Sequence, residues 1–185
     1  MIVLCDTCTV LMLIRIAPEM FCDERYECVT IQAVRREMFS TPRFKQKYPW
    51  QTEYKSKIKA VSTFKQDSQV ASAVHMAAEN NLNEVDGRPY GLSHADKEVA
   101  SYAVSNSWGV ATGDGGLLCF LPQQFDVTVY SALEVLNIWL KKGITTWSDE
   151  MDRILRDWVH DRERPQPEKA KREFKKLTGK KYPGP

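Results

Sequence analysis

Four short runs of apolar and β-branched residues constrain this chain more than any other feature. They are IVLC at 2–5, ECVTI at 27–31, WGVAT at 108–112 and DVTVY at 126–130. Continuous apolar runs of this length suit strands buried on both faces, as in a parallel sheet. Helical patterns lie between them. Thr7 to Ile16 is apolar nearly all round, and residues 30–39 place Ile31, Val34 and Met38 on one face. Residues 67–82 repeat at Val70, Val74, Ala77, Ala78 and Leu82, and 93–105 at Ala95, Val99, Tyr102 and Ala103. Ser131 and Glu134 form a capping-box pattern that opens a helix ending before Gly143, with Leu133, Leu136, Trp139 and Leu140 inward. Strands alternating with helices imply an α/β fold with a parallel sheet covered on both faces.

Two stretches depart from this pattern. Residues 42–65 hold Arg43, Lys45, Lys47, Lys55, Lys57, Lys59 and Lys65 against the single acid Glu53, with Phe44, Tyr48, Trp50, Tyr54 and Phe64 interleaved. Cations that track phosphates and rings that stack on bases make a single-strand binder; a solvated helix with core aromatics has the same composition. After Gly143 an amphipathic helix carries Met151, Ile154, Leu155, Trp158 and Val159 on one side. RERPQPEK then reads as a linker or helix break, before a basic tail that suits nucleic acid or disorder.

In an open parallel sheet, ligands bind beyond the carboxyl ends of the strands. Asp6 ends the first run and Asp114 follows the third, in ATGDGG. Asp96 lies in the first turn of the 93–105 helix, and Glu37 about two turns into the helix after the second run. Each acid alone has a structural explanation: a cap at Asp6, a capping box from Ser93 to Asp96, a glycine-rich turn at Asp114 and a solvated helix position at Glu37. Together they converge on one edge. Two carboxylates ~4 Å apart repel by roughly 4 kcal/mol at an effective dielectric near 20, so a cluster calls for a bound cation. Oxygen-only ligands suit Mg²⁺ or Mn²⁺ rather than zinc. A cation so placed orients water and offsets charge at phosphorus, which points to phosphodiester hydrolysis.

At these residues the chain resembles the PIN-domain ribonucleases. VLCDTCTVLML, VTIQAVRREMF, LSHADKEVASYA and VATGDGGLL carry the resemblance, with the acids in matching order over roughly residues 1–140. The resemblance implies a PIN-like three-layer α/β/α fold with a central parallel sheet of four or five strands. It implies a nuclease domain over 1–143, with a basic helical insertion at about 41–92, and a helical, basic extension over 144–185. It also implies a divalent-metal-dependent endoribonuclease acting on single-stranded RNA. Asp6, Glu37, Asp96 and Asp114 match the family's four acids and metal ligands, and Thr112 the threonine whose hydroxyl supports the site. Arg43, Lys45, Lys47, Trp50, Lys55, Lys57 and Lys59 are the expected nucleic-acid contacts. Cys8 stands where many members have Asn or Ser. Gly116 stands where some carry a fifth acid, which bears on a second metal ion and not the first. Many small bacterial members are toxins silenced by an antitoxin, so an antitoxin or a second copy joins RNA among the expected partners. The alternative is a non-catalytic PIN-like scaffold that binds RNA or protein.

The five cysteines show no disulfide framework, and Cys5 and Cys8 lack the further ligands that zinc needs. We expect free thiols in a cytoplasmic protein without a signal peptide or membrane span. A haloacid-dehalogenase motif would need an aspartate at Cys8. A receiver-type domain would need an adjacent acidic pair and a late lysine. His75, His94 and His160 have no ligand spacing.

Overall fold

In the computed structural model, which describes residues 2–61 and 66–185, the sheet is wholly parallel. Its strands are β1 (Val3–Cys5), β2 (Cys28–Val29), β3 (Gly109–Ala111) and β4 (Val129–Tyr130), in the order β2-β1-β3-β4. Leu4 pairs with Val29 on one side and Val110 on the other, and Ala111 pairs with Tyr130. Val3, Leu4, Cys5, Val110 and Ala111 are all buried, so both faces of the central strands are covered. That is why their sequence reads as unbroken apolar runs.

The second and fourth runs are shorter as strands than expected. Thr30 leaves the ladder: its hydroxyl donates to the Cys5 carbonyl at 3.2 Å, and its own carbonyl accepts from Val61 N at 2.8 Å.

The helices are α1 (Thr7–Leu13), α2 (Gln32–Ser40), α3 (Pro42–Lys47), α4 (Ser68–Asn80), α5 (His94–Asn106), α6 (Gly115–Phe125), α7 (Ala132–Lys141), α8 (Asp149–His160) and α9 (Glu168–Thr178). Four of them cover the expected patterns after β1, after β2, before β3 and after β4. Helix α4 stops at Asn80, so Leu82 is exposed rather than on the apolar face, in a bridge to Pro89. Helix α6 has no counterpart in the sequence reading. Two glycines open it and Pro122 lies inside it, signals that argue against a helix. Burial of Leu117, Phe120 and Leu121 outweighs them, at about 1.5–3 kcal/mol for each fully buried side chain.

The C-terminal region belongs to the same core. Met151, Ile154, Leu155 and Trp158 of α8 are buried, and the Trp158 indole donates to the Met12 carbonyl of α1 at 3.2 Å. Val159, expected on that face, is half exposed. Helix α9 packs on α7 through buried Ala170 and Phe174, so the basic tail is a docked helix. Among the described residues no helix is long and apolar enough to cross a membrane.

Candidate active site

The strand order reverses at β1. The chain adds β2 on one side, then returns to add β3 on the other. Such a switch point opens a crevice at the carboxyl ends of the two strands. Asp6 and Thr112 are the first residues past β1 and β3, and each extends the ladder by one bond. Asp6 N donates to the Ala111 carbonyl at 3.0 Å, and Thr112 N to the Tyr130 carbonyl at 2.9 Å. Both residues are buried.

Their side chains meet. Thr112 Oγ1 donates to Asp6 Oδ2 at 2.6 Å and accepts from Asp114 N at 2.9 Å. One hydroxyl thus ties the acid after β1 to the backbone of the acid after β3. Asp6 Oδ1 accepts from Thr9 N at 2.7 Å and caps α1. Asp114 Oδ1 accepts from Gly116 N at 2.8 Å and Leu117 N at 3.0 Å and caps α6. Asp96 Oδ2 accepts from Ser93 N at 2.8 Å, and Ser93 Oγ from Asp96 N at 3.2 Å, the capping box of α5. Glu37, on α2, accepts a hydrogen bond from the Thr7 hydroxyl. The structural explanations of Asp6 and Asp96 are therefore correct, and Asp114 is a helix cap as well as a turn.

Capping does not exhaust these groups, because they also act on one another. Burial pushes the Asp6 carboxyl up to about 6; hydrogen bonds from Thr112 and Thr9 pull against the rise, and the charge of Asp96 adds to it. Burial also raises Asp96, opposed by its bonds to Ser93 and reinforced by the charges of Asp114 and Glu37. Among the described residues, no lysine or arginine forms an ion pair with any of the four.

The donor chemistry fits a hard divalent cation: oxygen ligands only, with surplus negative charge. The arrangement is looser than a finished metal site. Among the described residues, no group of three or more His, Cys, Asp or Glu side chains is placed to hold a metal ion. Cap bonds commit one oxygen each of Asp6, Asp96 and Asp114 to backbone N–H groups.

Gly116 has a packing role of its own. A Cβ there would clash with the Tyr90 carbonyl and lie 2.7 Å from Leu92 Cδ2. The loop that leads into Ser93 and Asp96 passes directly over this glycine. A fifth acid at this position has no room.

The basic segment divides into packed and free groups. Phe44 and Tyr48 are buried. Trp50 has its ring edge-on to Tyr48 and Tyr54, and the Arg15 guanidinium lies 5.2 Å from its centre. These aromatics behave as core, the bland side of the sequence reading. Lys47 and Lys57 are paired with Glu163 and Glu19. Arg43, Lys45, Lys55 and Lys59 are exposed and, among the described residues, without ion-pair partners. Phe64 and Lys65 lie outside the described residues. All five cysteines are unpaired, with Cys5 buried in β1 and Cys8 half-buried at the crevice.

The sequence reading missed the opposite wall. A cleft of about 560 Å³ lies between Cys8, Thr112 and Gly113 on one side and residues 162–167 on the other. RERPQP, expected as a linker or helix break, does separate α8 from α9, and its Arg164 lies over Gly115, next to Asp114. Its proline content signalled an irregular segment, but nothing in the sequence said where it would lie. Compared with known proteins, the chain matches no family model, no curated protein and no solved structure.

Proposed function

We propose that this chain is a PIN-like endoribonuclease that cleaves single-stranded RNA with Mg²⁺ or Mn²⁺. The observation that carries the reading is the Thr112 bridge between Asp6 and the Asp114 backbone at the β1/β3 switch point, with Asp96 and Glu37 coupled electrostatically to the same rim. Carboxylates concentrated without cationic partners raise one another's proton affinity, and a divalent ion relieves that cost. Asp6, Asp96 and Asp114 would hold the ion, with Glu37 assisting. When bound, it supplies positive charge for a phosphodiester under attack and acidifies water.

The chain's own residues do the positioning. Thr112 and the α1 cap hold the Asp6 carboxylate, and the caps on α5 and α6 fix Asp96 and Asp114 on rigid helix ends. A short single-stranded RNA incubated with the protein should be cut with Mg²⁺ and spared with EDTA. Asp6→Asn should abolish cutting without unfolding the protein, and full EDTA-sensitive activity in that variant would sink the reading. A toxin role, with an antitoxin occupying the cleft, is compatible with this site; a partner encoded beside the chain would test it.

A second reading is a PIN-like scaffold that binds RNA or protein without cutting. It is favoured by the capping duties of three of the acids and by the packing of Gly116. RNA binding with no metal-dependent cleavage would select it.

A further inference from the structure

We propose that the 162–167 strap is the phosphate-gripping wall of the cleft, with Arg162 and Arg164 binding backbone phosphates of a single-stranded polynucleotide. The proposal rests on reading the carboxylate rim as a nuclease site and adds to it a substrate-binding half drawn from the C-terminal region.

Three observations support it. The first is placement. Arg162 and Arg164 line the same cleft as Thr112 and Gly113. Arg164 Nη1 lies 3.1 Å from where a Cβ on Gly115 would sit, over the first turn of the helix that Asp114 caps.

The second is availability. Both arginines are exposed, and among the described residues neither guanidinium has an ion pair or a hydrogen bond. Had they served only to neutralise the carboxylates, they would be paired with Asp6, Glu37, Asp96 or Asp114. The acid of the strap is already matched: Glu163 accepts from Lys47 Nζ at 2.7 Å and from the Tyr48 hydroxyl. Two cations without partners among the described residues therefore line the cleft that Thr112 and Gly113 share, and Arg164 reaches Gly115, next to Asp114; the four acids themselves lie outside the cleft lining.

The third is preorganisation. Gln166 Oε1 accepts from Leu133 N at 3.1 Å, and Gln166 Nε2 donates to the Arg164 carbonyl at 2.9 Å. Gln166 N donates to the Pro185 carbonyl at 3.1 Å. Pro165 and Pro167 restrict the backbone on either side. With Glu163 pinned to α3, the strap is fastened along its length, so little ordering entropy remains to be lost when a ligand binds. Guanidinium forks match phosphate oxygens two at a time, and a polynucleotide offers successive phosphates to both arginines.

The test uses the full chain and a fluorescent single-stranded oligoribonucleotide, with Ca²⁺ for binding and Mg²⁺ for cleavage. Arg162→Gln with Arg164→Gln should weaken binding about tenfold or more. It should flatten the salt dependence by roughly one unit of slope per lost cation. KM should rise more than kcat falls, while the melting temperature and Mg²⁺ binding by calorimetry stay unchanged. Arg164→Lys should recover part of the affinity, because charge without the fork is a partial match. The proposal is overturned if the double variant binds with the affinity and salt slope of the parent, or if the parent fails to bind the oligonucleotide. If the parent binds, the variant does not, and Mg²⁺ yields no cleavage, the strap assignment stands and the nuclease reading falls.

Discussion

The Thr112 hydroxyl and the Asp6 carboxylate, 106 positions apart in sequence, form a 2.6 Å hydrogen bond at the rim shared by β1 and β3. Because the same hydroxyl accepts from Asp114 N, its loss strands two polar groups at once. Thr112→Val should destabilise the protein by about 1–3 kcal/mol, and Thr112→Ser should retain most of the stability. Chemical denaturation of the pair measures the difference, and cleavage should fall with the valine and persist with the serine.

The raised proton affinity of Asp6 has a consequence for stability. Its carboxyl moves from an ordinary value of 3.8 to about 6 in the folded protein, so the folded state holds this proton more tightly than the unfolded chain. The stabilisation is fully present below about pH 4 and is lost as pH rises through about 6, a change of about 3 kcal/mol. In EDTA, unfolding free energies at pH 5 and pH 7.5 should differ by about 1.4 kcal/mol for the parent, the part of this decline that falls above pH 5. Asp6→Asn removes the titration, so its stability should change less between these two pH values than that of the parent.

Cation binding should reverse that loss. A ligand at a hundred times its dissociation constant adds about 2.7 kcal/mol. Mg²⁺ should therefore raise the melting temperature of the parent at pH 7.5, with EDTA abolishing the rise. In Asp6→Asn combined with Asp114→Asn the rise should vanish. Equal stabilisation of both proteins would show that Mg²⁺ acts elsewhere.

At Gly116, restoring a fifth acid should fail for steric reasons. Gly116→Ala should cost about 1–3 kcal/mol, because the Cβ meets the Tyr90 carbonyl and Leu92, and Gly116→Asp should cost at least as much. Neither should gain activity with Mn²⁺. A stable, more active Gly116→Asp would mean that the loop at 90–92 can give way.

Helix α9 should be required for stability. Phe174 is fully buried, with its ring 5.7 Å from Trp147 and 5.5 Å from Tyr182. Phe174→Ala should cost about 3–5 kcal/mol by denaturant unfolding, as for other buried aromatics. A tail lying loosely on the surface would give a change below about 0.5 kcal/mol.

How much of this was legible in the sequence depended on the range of the interactions involved. Capping boxes at Ser93–Asp96 and Ser131–Glu134 are local, so they were readable and they form. The runs at β1 and β3 were readable because double-faced burial leaves them apolar throughout. Helix α6 was hidden because Gly115, Gly116 and Pro122 oppose it locally, while the contacts that favour it come from Tyr90 and the core. Composition could not sort the rings of the 42–54 stretch into packed and free. Phe44 and Tyr48 are buried by tertiary contacts, and Lys47 is matched by an acid 116 positions later. The strap was illegible for the same reason: each of its fastenings, to α3, to α7 and to Pro185, joins distant parts of the chain.

The wall opposite Thr112 and Gly113 comes from residues 162–167, well after the last of the four acids. On a ribosome the carboxylates emerge and can assemble first, while the cleft stays one-sided until α8 has docked on α1 and the strap has been drawn across. A nascent protein of this design would carry its acids early and its finished crevice late, so the second wall closes only after residues 162–167 have emerged.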